Sequence, residues 1–310
     1  MLIHSTSEFS AWRKSVANQT VAFVPTMGAL HSGHHSLIAY AEQQCDLVVV
    51  SIFVNALQFG DPNDYDKYPR TEQSDYLASV ASGANIVFAP QQQDMFPSDF
   101  DKYLTPSPLA NNYEGKHRPG HFAGVVTVVN RLFDIVQPTV AIFGAKDFQQ
   151  VAVIRAMSNE LHPTVRIVSL ETVRDADGLA LSSRNARLST ASRLQAQVIP
   201  RALQAIANLH EQGETRSHVL KSEGLKILES EQSLLVEYLE IVQKDTLNTV
   251  DEARHAVVLF AGVLDDVVRD GEVLGRVEAE DLLGGRDLVG AQGRAVRGAG
   301  GVGLDHHLHP

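Results

Sequence analysis

The sequence predicts an α/β protein: a doubly wound, Rossmann-like parallel-sheet domain followed by a second, smaller α+β domain. Three observations predict it. Short, nearly unbroken apolar runs alternate with helical patterns through the first half of the chain, as strands buried on both faces of a parallel sheet require. After about Thr172 the texture changes to two helical stretches followed by two strand-like runs. The length of 310 residues suits two domains of roughly 150 residues each.

In chain order, Val21–Val24 reads as a strand, and the loop after it opens a helix from about Gly33 to Gln44. Leu47–Phe53 is the next strand. Thr71–Ser82 has a helical pattern that ends near Gly83 and leads into the strand Asn85–Ala89. Val125–Val136 is an apolar helix stopped before Pro138, since proline cannot continue it, and Val140–Phe143 is again a strand. Asp147–Glu160 is helical and Val165–Leu170 is extended. A sheet of this kind takes its ligands at the carboxyl ends of its strands. The charged loop Arg174–Gly178 is the expected boundary between a first domain, 1–172, and a second, 173–263. In the second, Ser189–His210 and Ser217–Glu231 read as helices, and Leu235–Val242 and Ala256–Phe260 as strands.

Composition narrows the function classes. Apolar residues make up 44% and charged residues 20% of the chain, as in an average globular protein. The 26 basic and 37 acidic residues give a net charge of −11, which disfavours nucleic acid and anionic membrane as partners while leaving room for a local cationic phosphate pocket. The lone Cys45 can form neither an internal disulfide nor a multi-thiolate metal site. The start, MLIHSTSEFSAWRK, has no basic segment followed by an apolar one, so it is no secretory signal. The apolar run Leu47–Val54 is too short to span a bilayer. A cytoplasmic, soluble protein is expected.

Three stretches carry chemistry. Pro25-Thr-Met-Gly-Ala-Leu-His-Ser-Gly-His-His-Ser follows a strand and opens a helix. His31 and His34, three apart, share a face at the helix start. The small Ser32 and Gly33 let a phosphate approach backbone N–H groups already favoured by the helix dipole. A metal site is the rival reading, although a metalloprotease motif needs glutamate where Ser32 stands. Gly144-Ala-Lys146-Asp147 also lies where a strand meets a helix. Lys146 there brings a cation to the same sheet edge, and Asp147 suits a helix cap, a ribose or a metal. Leu181-Ser-Ser-Arg184-Asn follows Asp-Ala-Asp-Gly in a polar loop. Two hydroxyls and an arginine suit a polyphosphate whose charge shifts to a leaving pyrophosphate; a plain helix cap before Ser189 is the alternative.

In this order the three stretches resemble the nucleotidyltransferase superfamily with an HxGH motif. Four further stretches narrow the resemblance to the pantoate–β-alanine ligase family. They are Ser51-Ile-Phe-Val-Asn55-Ala-Leu-Gln58-Phe, Tyr68-Pro-Arg-Thr, Arg118-Pro-Gly-His121-Phe-Ala-Gly and Gly144-Ala-Lys-Asp-Phe-Gln-Gln150. The resemblance covers about residues 20–190 closely and extends more loosely to about 263. It implies an ATP-dependent ligase joining pantoate and β-alanine through a pantoyl adenylate, with ATP as substrate, Mg²⁺ on the polyphosphate and a homodimer as the usual state. It also implies roles by position. His31 and His34 bind the ATP phosphates above a floor shaped by Met27 and Gly28. Gly144, Lys146 and Asp147 hold nucleotide, Val173 meets adenine, and Ser182, Ser183 and Arg184 grip phosphates. His34, Lys146 and Arg184 are the implied catalytic residues. Gln58 and Gln150 bond pantoate, while Asn55, Tyr68, Arg118 and His121 complete the acyl and amine wall; no residue is expected to be a dedicated metal ligand. The alternatives are an adenylyltransferase acting on another small substrate, or a catalytically impaired nucleotide-binding protein.

The chain departs from the family pattern at Ala145, usually glutamate, at Leu181, usually methionine, and at its end. Where the family closes with an Arg-Leu-Ile-Asp-Asn-like strand, Val263-Leu-Asp-Asp-Val-Val-Arg-Asp runs into a glycine-rich tail. From Ala261 on the chain uses only ten residue types and holds eleven of its 22 glycines. A disordered tail over 264–310 and a change of reading frame near Asp266 are the expectations. Gly298-Ala-Gly300-Gly-Val-Gly303 fits a dinucleotide-binding pattern, but too few residues follow to form its helix. His306, His307 and His309 read as incidental.

Overall fold

The computed structural model describes residues 1–264, with side chains through Gly262. Its main layer is a six-stranded, all-parallel sheet in the order β1-β4-β3-β2-β5-β6. The strands are β1 (Leu2–Ile3), β2 (Val21–Thr26), β3 (Leu47–Ile52), β4 (Ile86–Phe88), β5 (Val140–Gly144) and β6 (Arg166–Leu170). Strand β2 shows why the apolar runs are unbroken. Val21 and Phe23 pack into a core on one face with the central helix, while Ala22 and Val24 pack into a core on the other. Neither face meets water along residues 21–24, so all four are apolar, and the buried Thr26 at the strand end has its hydroxyl hydrogen-bonded to Ser51 O.

Helices cover both faces. They are α1 (Thr6–Ser15), α2 (Ser32–Glu42), α3 (Pro62–Asp66), α4 (Glu72–Ala81), α5 (Gln92–Met95), α6 (Glu114–His117), α7 (His121–Val136) and α8 (Phe148–Leu161). Leu37, Ile38 and Ala41 of α2 close one core, and Val125, Val129, Leu132 and Phe133 of α7 close the other. After the main sheet come α9 (Thr190–Ala196), α10 (Val198–Glu211) and α11 (Ser217–Leu228), then the antiparallel pair β7 (Leu234–Gln243) and β8 (Ala256–Leu264). This smaller layer has its own core, in which Ile206, Leu220, Leu239, Ile241, Val258 and Phe260 meet.

Several details differ from the sequence expectation, the short helices α3, α5 and α6 among them. β1 and α1 lie in an N-terminal stretch too short and polar for periodicity to reveal; Ser5 Oγ caps α1 by accepting from Glu8 N at 3.2 Å. α7 begins at His121, not Val125, because Gly120 turns the chain at φ +84° into a first turn that carries pocket residues. The helix expected over Ser189–His210 is two helices broken at Gln197. Pro200 falls in the first turn of α10, where its missing N–H leaves no bond unmade. Strand β8 runs four residues past Phe260, with Leu264 opposite Leu234, so Leu264, the first residue of the expected tail, lies in a strand, and the rest of that expectation lies outside the described residues. The reading-frame change near Asp266, the glycine pattern from Gly298 and the three histidines from His306 lie outside the described residues.

β2 is followed by β3 on one side of it, and β5 by β6 on the other. The chain therefore reverses direction across the sheet between β2 and β5, which opens a crevice at their carboxyl ends. Their ladder stops at Phe23 opposite Ala141. Two residues later stands Pro25, with no N–H to extend it.

Candidate active site

A cavity of about 690 Å³ fills that crevice, and every site residue expected from the sequence lines it except Gly28. Its deep end is apolar, walled by Val125, Val129, Leu132, Phe143 and Ile154; its mouth is polar. Gly28 does structural work instead. At φ +84° it turns the chain out of β2, and its N–H donates to Thr26 Oγ1 at 3.1 Å. Ala29 follows, also left-handed at φ +50°, and is held there by a group the sequence did not flag. The buried Asp75 of α4 accepts from Ala29 N and Leu30 N, both at 2.9 Å, and from Thr71 Oγ1. That clamp sets where His31 and the start of α2 fall.

The two histidine rings face each other at a tilt of 38°, their centroids 4.1 Å apart. His31 N donates to His34 Nδ1 at 3.3 Å, which leaves the His34 proton on Nε2. Burial first, and Lys146 next, lowers His31 to about 4; burial, then His31 and His35, lowers His34 to about 3. Both imidazoles are neutral near pH 7, so each can offer an N–H without bringing charge. His31 Nδ1 is buried and has no hydrogen-bond partner among the described residues, so the site carries a polar atom whose desolvation is uncompensated. Opposite, at the end of β5, Lys146 Nζ lies 3.1 Å from Asp147 Oδ1. A Cβ on Gly144 would meet nothing within 4 Å, so its bare backbone borders open space.

The 182–187 loop closes the third side by docking on α3 and Tyr68. Arg184 Nη2 pairs with Asp64 Oδ2 at 2.8 Å and its guanidinium lies 5.5 Å over the Tyr68 ring. The Tyr68 and Ser183 hydroxyls are 3.2 Å apart, and Arg187 Nη2 donates to Lys67 O at 2.6 Å. Asp64 was missed because nothing in α3 alone marks one aspartate among several as a partner for an arginine 120 residues away.

An amide cluster forms the fourth side. Asn55 Nδ2 donates to Gln58 Oε1 and to Gly124 O, each at 3.1 Å, and Gln58 Nε2 donates to Met27 Sδ at 3.3 Å. His121 Nδ1 donates to Gln58 O at 2.9 Å, which makes its Nε2 the acceptor for Arg118 Nη1 at 3.2 Å. Burial, then Arg118, lowers His121 to about 3. Gln150 and Val173 face the same space. The cavity thus offers neutral and cationic donors at the strand ends and uncharged amides beside them. That combination suits an elongated anion next to a hydroxylated carboxylate.

Comparison with known proteins agrees with this chemistry. The family described as Pantoate-beta-alanine ligase matches residues 1–269. The pantothenate synthetase of Neisseria meningitidis serogroup A / serotype 4A (strain DSM 15465 / Z2491) is 46% identical over 261 residues, 84% of this chain and 93% of that protein. That of Geotalea uraniireducens (strain Rf4) is 43% identical over the same shares. Among solved structures, pantothenate synthetase from Thermus thermophilus superposes with a TM-score of 0.84 at 38% identity, covering 91% of this chain and 99% of that one. Pantoate-beta-alanine ligase from Francisella tularensis, complexed with beta-gamma ATP and beta-alanine, gives a TM-score of 0.70 at 31% identity, covering 91% and 96%.

Proposed function

The chain belongs to the pantoate–β-alanine ligase family, and on that premise we propose how its cavity condenses pantoate with β-alanine while converting ATP to AMP and pyrophosphate. One observation carries the assignment of roles: two neutral histidines, Lys146 and the Ser182–Arg184 loop meet across one crevice from the Asn55 and Gln58 amides. A carboxylate is a poor acyl donor because its oxygen leaves badly. Attack of a pantoate carboxylate oxygen on the α-phosphorus forms a P–O bond as the bond to pyrophosphate breaks. The acyl group then carries AMP as its leaving group. The neutral β-alanine amine attacks that carbonyl, the amide forms, the amine loses a proton, and AMP departs. Neither step needs a covalent bond to the protein, so catalysis rests on position and on stabilising phosphate charge.

His31 and His34 donate N–H groups to phosphate oxygens, and the buried His31 Nδ1 gains a partner there. Lys146 supplies charge at the reacting phosphates. Gly144 and Asp147 border the nucleotide, and Val173 packs on adenine. Ser182, Ser183 and Arg184 receive the departing pyrophosphate. Asn55, Gln58 and Gln150 bond the hydroxyl and carboxylate of pantoate beside Met27, while Tyr68, Arg118 and His121 wall the acyl and amine side. Among the described residues no group of three His, Cys, Asp or Glu side chains is gathered to hold a metal. Magnesium, which prefers one or two carboxylates with substrate phosphates and water, fits Asp147, a carboxylate on the cavity wall whose side chain is 40% exposed. When bound it would neutralise polyphosphate charge.

We also propose a homodimer, as the family resemblance implies, and domains spanning 1–172 and 173–263. The net charge of −11 supports small-molecule partners over nucleic acid or anionic membrane, and a cytoplasmic location is consistent with it. No helix among the described residues is long and apolar enough to cross a membrane. The test of the reading is isotope exchange. Labelled pyrophosphate should enter ATP when pantoate is present and β-alanine absent; exchange without pantoate, or only with β-alanine, would contradict the order of steps.

A further inference from the structure

We infer that Glu114 is a positioning residue: its buried carboxyl group, held in turn by Tyr238 from the small sheet, aims the Arg118 guanidinium at a substrate carboxylate. The inference rests on the proposed reading of Arg118 as a substrate-binding side chain, and it adds two residues that do not line the cavity.

The Glu114 side chain is 1% exposed, yet it lies one helical turn before Arg118, whose Nη1 is 3.6 Å from Glu114 Oε2. The other carboxyl oxygen, Oε1, accepts from the Tyr238 hydroxyl at 3.2 Å. The same Arg118 Nη1 reaches His121 Nε2, and His121 is fixed by its bond to Gln58 O. A continuous polar chain therefore runs from β7, through Glu114 and Arg118, to the amide corner of the site. A carboxyl group is seldom buried without a partner that needs it, and here that partner is a guanidinium on the cavity wall.

The backbone carrying this chain has little freedom. Gln149 Oε1 accepts from Glu114 N at 3.0 Å, and Gln149 Nε2 donates to Leu109 O and Asn112 O, each at 2.8 Å. A Cβ on Gly115 would lie 1.6 Å from Ala110 O, so α6 is pressed directly on the preceding turn. Tyr113, just before α6, sits at φ +51° with its hydroxyl on Leu247 O at 2.8 Å. These contacts fix the carboxyl group relative to the pocket, as an orienting counter-group requires. They also tie that orientation to the 234–250 region of the small layer.

The test compares full-length Glu114→Gln, Tyr238→Phe, Arg118→Ala and the Glu114→Gln/Arg118→Ala double variant, with KM measured separately for pantoate, β-alanine and ATP. Arg118→Ala and Glu114→Gln should raise KM for the same carboxylate substrate by roughly tenfold or more, the loss expected of a charge-assisted contact. The ATP constant should stay within about twofold, and the double variant should be no worse than Arg118→Ala alone. Tyr238→Phe should shift the same constant a few-fold although it removes only one hydroxyl outside the cavity. If Arg118→Ala raises a carboxylate KM and Glu114→Gln does not, the positioning role is overturned while the site reading stands. If Arg118→Ala changes neither carboxylate KM, the reading of Arg118 falls and the inference with it. Should Glu114→Gln fail to fold, Tyr238→Phe decides, and unchanged constants in that variant overturn the proposal.

Discussion

Gly124→Ala perturbs the site without altering any side chain that faces substrate. In α7 this glycine packs against the turn that carries Asn55 and Gln58: a Cβ there would lie 2.3 Å from Leu57 O and 2.6 Å from Gln58 N. Carbon does not approach oxygen closer than about 3.0 Å, so the turn or the helix must move by at least 3.0 − 2.3, about 0.7 Å. Such overpacking costs about 1–3 kcal/mol, enough to lower the melting temperature by several degrees. The larger effect is on function. The Asn55 Nδ2 bond to Gly124 O and the Gln58 carbonyl that anchors His121 both sit on the displaced turn. A misplacement near 1 Å at a reacting site costs on the order of 10²-fold. Pantoate-dependent pyrophosphate exchange should therefore fall by about that factor with pantoate KM raised, while ATP KM, set at the far wall, changes little. Near-normal exchange in a folded Gly124→Ala protein would refute the placement of the amide corner.

Lys146→Ala and His34→Ala should each slow adenylation by roughly 10²–10³, the effect of removing one preorganised donor; near-normal exchange in either variant would remove that residue from the mechanism. Asp64→Asn should free the 182–187 loop, since it breaks the pair with Arg184 and the 3.6 Å contact with Arg187; faster amide hydrogen exchange over Ser183–Arg187 is the expected sign, and unchanged protection would count against the latch. Stability should also depend on pH. His31, His34 and His121 titrate near 4, 3 and 3 when folded and near 6.5 when unfolded, so between those values the unfolded chain binds more protons. Their contribution is complete above pH 6.5 and declines as the pH falls toward 4, by up to about 1.4 kcal/mol per pH unit for each group. Denaturant melts at pH 7, 6 and 5 should show the decline, shallower in His34→Asn; identical slopes in the two proteins would contradict the buried-neutral assignment.

The strand ends of the site were legible because their signals are local. A phosphate-friendly HxGH pair after an apolar run, and a Gly-Ala-Lys-Asp turn after another, carry both element type and chemistry within a dozen residues. The residues that hold these signals in place were not legible, since each acts across a long gap. Asp75 reads as an ordinary polar residue of an amphipathic helix until the fold sets it under Ala29 and Leu30. Asp64 looks like a surface acid until Arg184 meets it, and Glu114 until the fold buries it under the Tyr238 hydroxyl. Gly115 and Gly124 are close-approach sites, and a glycine reveals that only when the opposing backbone is known. The short edge strand β1 escaped because two residues cannot show a period. β8 was underestimated because its last residues, Ala-Gly-Val-Leu, share the composition of the segment that follows.

We propose that a pantoate carboxylate oxygen attacks the α-phosphorus of ATP in the β2–β5 crevice. Pantoate labelled with oxygen-18 in both carboxylate oxygens tests it directly in one turnover with ATP and β-alanine. One labelled oxygen should appear in the phosphate of AMP and the other in the amide carbonyl of the product, with none in pyrophosphate. AMP free of label, or label in pyrophosphate or inorganic phosphate, would contradict attack by the pantoate carboxylate on the α-phosphorus.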